Sequence, residues 1–209
     1  MKKFLTLTLL LLLAIVSTAR ATGGDESVLI EEKAIKYRDW TFADLQTGKP
    51  VNLREFAAGK RLVLVVYFAP WCGNWRNEAP RVARLYEKYK AQGFDVVAVN
   101  NYATKDDAKK FFGEKGAPYT VVVESESSDA RTKTTHYECR ISTGDKRMWG
   151  SPYNVFVEPA KLSKEGDVLM ERAFVASGEI IEENADKFIA ERLGVKEIKE
   201  AKPKEAAQK

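Results

Sequence analysis

An α/β fold is predicted for this chain, with a central mixed sheet flanked by helices and a β-hairpin extension ahead of it. The prediction rests on unbroken apolar runs of strand length, on amphipathic helical stretches between them, and on their order of β-α-β-α-β. Its 209 residues are enough to enclose one proper core.

The first stretch is set apart from that fold. Lys2 and Lys3 precede an apolar run from Phe4 to Val16, and Ala19-Arg20-Ala21 supplies small residues where a signal peptidase cuts. The run is shorter than the roughly 20 residues a membrane span needs. Residues 1–21 therefore read as a signal peptide cleaved after about Ala21, and the protein as exported and periplasmic, with no permanent membrane anchor. Losing Lys2, Lys3 and Arg20 takes the formal charge from +4 to +1. Charges are well mixed in sign, so no nucleic-acid footprint is expected. Residues 22–36 read as a mobile N-terminal segment, 37–194 as the domain, and 195–209, rich in Lys, Glu and Ala, as a disordered charged tail.

The domain opens with short alternating segments at Tyr37–Leu45 and Val51–Leu53 around a Gly-Lys-Pro turn, a hairpin. Leu62–Phe68 is seven apolar residues, as a strand buried on both faces requires. A turn at Ala69–Cys72 leads into a helix whose stripe is Val82, Leu85, Tyr86 and Tyr89. Gly93 ends it, and Phe94–Asn100 is a second buried strand. Thr104 caps the next helix, with Asp106 and Asp107 in its first turn and Gly116 closing it. Tyr119–Val123 is the third strand. Beyond it, 124–130 reads as loop, Thr135–Ile141 alternates like a short strand, and Tyr153–Val157 with Val168–Glu171 forms a hairpin. A last helix, from about Glu179 to Leu193, buries Ile181, Ala185, Phe188 and Ile189 before Gly194.

Two cysteines and one histidine make neither a disulfide scaffold nor an ordinary zinc site, so no metal and no cofactor are expected. His136-Tyr-Glu-Cys139 invites a metal reading, but soft ligands are too few to complete it. Cys72 stands where a buried strand gives way to a helix. Unpaired N–H groups and the positive dipole end there favour thiolate, the nucleophile of disulfide exchange. A free cysteine is otherwise a small buried hydrophobe.

Tyr67-Phe-Ala-Pro-Trp-Cys72 resembles the active-site entry of the thioredoxin-fold superfamily, and more closely that of TlpA/ResA-like exported thiol–disulfide oxidoreductases with a redoxin-type domain. Leu45-Gln-Thr-Gly-Lys-Pro-Val-Asn-Leu-Arg-Glu-Phe56 is similar to their hairpin segment. Glu78-Ala-Pro80 is similar to their Glu-x-Pro, and Gly150-Ser-Pro152 to their cis-proline loop. The resemblance implies a thioredoxin fold, a catalytic Cys72, a proton-handling Glu78, and a substrate groove at the loop of Ser151 and Pro152, which Trp71 and Trp75 either flank or leave aside to cover the thiol. It departs at one place: the Trp-Cys-x-x-Cys of the family is here Trp71-Cys72-Gly73-Asn74-Trp75, with Trp75 at the position of the resolving cysteine. Resolution then falls to a small thiol, a partner protein, or Cys139. A Cys72–Cys139 bridge requires Cα atoms within about 7 Å, which spacing leaves open. The expected partners are protein or small-molecule thiols and disulfides. Two other readings remain: a redox-inactive binding module using the cis-proline groove, and a thiol peroxidase. The latter needs a hydroxyl three residues before the cysteine, where Ala69 stands.

Overall fold

A computed structural model describes residues 27–196. The signal segment 1–21, the start of the expected mobile segment and the tail from 197 lie outside the described residues. The strands are β1 (Ser27–Val28), β2 (Glu31–Arg38), β3 (Thr41–Asp44), β4 (Pro50–Asn52), β5 (Leu62–Phe68), β6 (Phe94–Asn100), β7 (Thr120–Val123), β8 (Tyr153–Val157), β9 (Val168–Ala176) and β10 (Glu179–Ile180). The helices are α1 (Leu53–Ala57), α2 (Gly73–Tyr89), α3 (Lys105–Phe112), α4 (Thr135–Ser142) and α5 (Glu182–Leu193).

Eight strands form one mixed sheet in the order β2-β9-β8-β5-β6-β7-β3-β4. Strands β5, β6 and β7 run parallel, while β8 lies antiparallel on the other side of β5. All seven residues of β5 are buried, as its unbroken apolar run requires. Leu62, Leu64, Val66 and Phe68 face one core, with Val82 and Leu85 of α2 and Ile189 and Leu193 of α5. Val63, Val65 and Tyr67 face the other, with Leu53 of α1 and Cys139 of α4. This is the thioredoxin fold, and the β3–β4 hairpin pairs onto β7 at the far edge.

Four expectations are corrected. Residues 31–36 are not mobile: they belong to β2, which pairs with β9 from Glu31 to Ala34 and again, after an irregularity, from Tyr37. Ile35 and Tyr37 bury one face of β2 while charged neighbours face out, the composition of an edge strand. The segment 135–141 is helix, because Thr134 accepts the Tyr137 N–H as N-cap and His136, Cys139 and Arg140 then fall on one inner face. Helix α3 ends at Gly113, whose φ of 69° suits glycine, rather than at Gly116. The final helix begins at Glu182, because Glu179 and Ile180 pair in parallel with Ser27 and Val28.

Leu64 is fully buried on the central strand. Leu64→Ala is expected to cost about 3 kcal/mol, read as a lowered urea midpoint with an unchanged slope.

Candidate active site

The buried register of β5 delivers Ala69, Pro70 and Trp71 to its carboxyl end, and Cys72 follows as N-cap of α2. Cys72 is half-buried, and its side chain makes no capping hydrogen bond to the first turn of the helix. Strand β8 runs beside β5 with Tyr153 opposite Tyr67. That pairing carries the preceding residues, Ser151 and Pro152, to Cys72. The Cys72 thiol donates to the Ser151 carbonyl at 3.2 Å, and the Ala69 N–H donates to Ser151 Oγ at 3.0 Å. The Ser151–Pro152 peptide bond is cis, and both residues are buried.

Trp71 is 44% exposed. Its indole N–H donates to the Tyr102 carbonyl at 3.2 Å, and its ring meets Trp149 edge to face at 5.2 Å. An open groove beside it is lined by Pro70, Trp71, Arg76, Asp107, Lys110 and Phe111.

Two expected site residues are elsewhere. Trp75 does not line the groove: it is fully buried, 4.7 Å from the Phe68 ring and stacked at 5.9 Å on Phe111. Three positions past the N-cap, the turn of α2 aims its side chain into the core. Cys139 is not brought to Cys72. Both thiols are free, and Cys139 lies in the core on the opposite face of the sheet. Its sulfur is 3.8 Å from the Tyr153 hydroxyl, and burial pushes its pKa up to about 12.

Glu78, one turn further along α2, is fully buried. Its Oε2 accepts the Ile180 N–H at 2.6 Å and the Asn154 amide at 3.4 Å, while Oε1 has no partner. Burial raises its pKa to about 8, against the lowering effect of those two hydrogen bonds. At neutral pH this carboxyl holds a proton.

Residues between β7 and β8 support the site in a way the sequence did not reveal. His136 is fully buried: Nε2 meets the Gly150 carbonyl at 3.0 Å and Nδ1 the Tyr102 hydroxyl at 2.9 Å. Burial first, and then the Arg140 charge, lowers its pKa to about 3, so it is neutral. A carbonyl only accepts, so Nε2 carries the proton and Nδ1 accepts from Tyr102. Both nitrogens of this histidine are thereby engaged in hydrogen bonds. Tyr102 is the only non-glycine residue with positive φ among the described residues, at 63°. It holds Trp71 through its carbonyl and, through His136, the backbone just before Ser151. The signal available in the sequence was Trp149 directly before Gly150-Ser-Pro152, a large aromatic one step from the proline loop.

No helix among the described residues is long and apolar enough to cross a membrane. The family model Redoxin matches residues 32–168. A protein disulfide-isomerase of Oryctolagus cuniculus is 35% identical over 71 residues, 34% of this chain and 14% of that protein. The thiol-disulfide oxidoreductase ResA of Bacillus thuringiensis is 28% identical over 86 residues, 41% of this chain and 48% of that one. The chain thus spans less than half the length of these curated relatives. A solved structure from Chlorobium tepidum, described as a thiol:disulfide interchange protein DsbE, is 28% identical with a TM-score of 0.53, covering 78% of this chain and 98% of its own.

The Glu78 carboxyl titrates near 8 in the fold against an ordinary 4.5. Between those values the unfolded chain has released a proton that the folded one keeps, so stability falls as pH rises from about 4.5 to 8. Glu78→Gln is expected to remove that slope. Urea unfolding at pH 5, 6.5 and 8 should show the variant gaining on the parent by on the order of a few kcal/mol.

Proposed function

This chain belongs to the Redoxin family, and from that membership we propose that it is a thiol–disulfide oxidoreductase acting through one site thiol, Cys72. The observation that carries the reading is the hydrogen bond from Cys72, N-cap of α2, to the Ser151 carbonyl at the cis-proline loop. The sulfur is half-buried and directed at the loop beside which substrate would lie.

The chemistry is a mixed-disulfide exchange. The Cys72 thiolate attacks one sulfur of R–S–S–R′, the Cys72–R disulfide forms, and R′–S⁻ leaves. With Trp75 buried in the core and Cys139 across the sheet, resolution comes from an external thiol. That thiol, as its thiolate, attacks the mixed disulfide, releases the Cys72 thiolate and departs as a disulfide with R. Glu78, protonated at neutral pH, is proposed to serve as a proton reservoir behind the site. The signal-like residues 1–21 support an exported, oxidising setting, in which disulfide substrates persist. The binding-module reading gains nothing from Trp75, which adds no surface beside the groove.

Incubation with a model peptide disulfide, followed by intact mass under acid quench, tests the proposal. The expected result is one peptide adduct per chain in the parent and in Cys139→Ser, and none in Cys72→Ser. An adduct on Cys139, or equal turnover by Cys72→Ser, overturns it.

A further inference from the structure

The segment between β7 and β8 is built around charges that have been taken out of water. Arg140 is 1% exposed and donates to the carbonyls of Asp145, Arg147 and Met148 at 3.1, 2.6 and 3.1 Å. The Asp145 carboxylate holds the Arg147 guanidinium through Nη2 at 2.7 Å, and that nitrogen continues to the Pro152 carbonyl at 3.0 Å. Arg131 donates to the Met148 carbonyl at 3.3 Å. Gly150 packs so tightly on Arg140 that a Cβ there would lie 2.4 Å from its Cδ. A loop fixed at this many points is rigid.

That rigid loop presents large apolar side chains to solvent. Met148 is 64% exposed, and Trp149 reaches Trp71, itself 44% exposed, at the residue before Cys72. Preorganised aromatic and methionine side chains are the usual anchors of a protein interface, because little freedom remains to be lost on binding. Cations flank the patch on both sides. The Arg131 guanidinium sits 5.3 Å over the Trp149 ring, and Arg76 and Lys110 line the groove beside Trp71. The acidic residue of that groove, Asp107, has Oδ2 engaged by the Thr104 hydroxyl at 2.7 Å.

We infer that Trp71, Met148 and Trp149, with Arg131 on the rim, form a docking surface for a cysteine-bearing protein segment whose neighbours are bulky apolar and acidic residues. The inference names the substrate class of the site proposed above and rests on that proposal. A small anionic thiol would satisfy the cations and leave the methionine and tryptophan surface uncovered.

The test uses short peptides whose one cysteine is joined to thionitrobenzoate. Attack by the Cys72 thiolate on the peptide sulfur forms the mixed disulfide and releases coloured thionitrobenzoate, so each rate constant is a single exchange with no added reductant. Three peptides differ only in the residues beside the cysteine: leucine with glutamates, leucine with lysines, and serine with glycines. Glutathione joined to the same leaving group is the fourth probe. The leucine–glutamate peptide is expected to exceed the serine–glycine peptide by about tenfold. Met148→Ser should shrink that ratio by about fivefold. Arg131→Glu should cut the glutamate-over-lysine preference by about threefold or invert it. Equal rates for all peptides, or fastest reaction with the glutathione probe and no response to Met148→Ser, overturn the inference. A second arm needs no thiol chemistry: tryptophan fluorescence of Cys72→Ser is titrated with the same sequences carrying serine for cysteine. Preferential binding of the leucine–glutamate peptide there sustains the docking surface even if Cys72 proves unreactive, and its absence removes it.

Discussion

The pairing of Tyr67 with Tyr153, the last pair of the β5–β8 ladder, is the constraint on which the site depends. Residues 69–72 and 150–152 are far apart in the chain and become neighbours because two buried strands share this register. Every residue of both strands is buried, so a slip by one position would turn Leu64 and Phe156 toward the wrong core. Register here is fixed by packing on both faces. Ser151 then joins the two loops with both of its ends: the hydroxyl takes the Ala69 N–H, and the carbonyl takes the Cys72 thiol.

Around that junction the chain divides its work between the two faces of the sheet. The α2 and α5 side is largely hydrocarbon, interrupted by Glu78 and Asn154, which share one hydrogen bond. The α4 side is threaded with tyrosine hydroxyls and one neutral imidazole. The Tyr37 and Tyr67 hydroxyls lie 2.7 Å apart, and His136 stacks on Tyr67 with ring centroids at 4.8 Å. Buried polar groups of this kind tolerate only one arrangement of their donors and acceptors. They therefore fix where the 145–150 loop stands relative to Cys72.

Much of this was legible in the sequence, and the physical reason is burial. The runs Leu62–Phe68 and Phe94–Asn100 announce buried strands because nothing else accommodates so many consecutive apolar residues. Cys72 announces itself by standing where such a strand meets a helix. Strand β2 hid because an edge strand carries Glu, Lys and Arg on its outward face, which reads as solvated chain. Helix α4 hid because Tyr137, Cys139 and Ile141 satisfy a period of two, while the period that mattered ran through His136, Cys139 and Arg140. The inward turn of Trp75 and the separation of Cys139 from Cys72 are facts of three-dimensional placement. Spacing along the chain does not encode them.

Trp75 has a consequence for the redesign of this site. An indole held between Phe68 and Phe111 occupies far more volume than a thiol. Exchanging it for cysteine would open a void of the kind that costs about 3–5 kcal/mol when a buried tryptophan is cut back. Domains of this size are stable by only about 5–15 kcal/mol in total. A second thiol placed there would thus draw on a large share of that stability unless side chains around Phe68 and Phe111 were enlarged to fill the space. Packing, and not chemistry alone, therefore holds an indole at position 75.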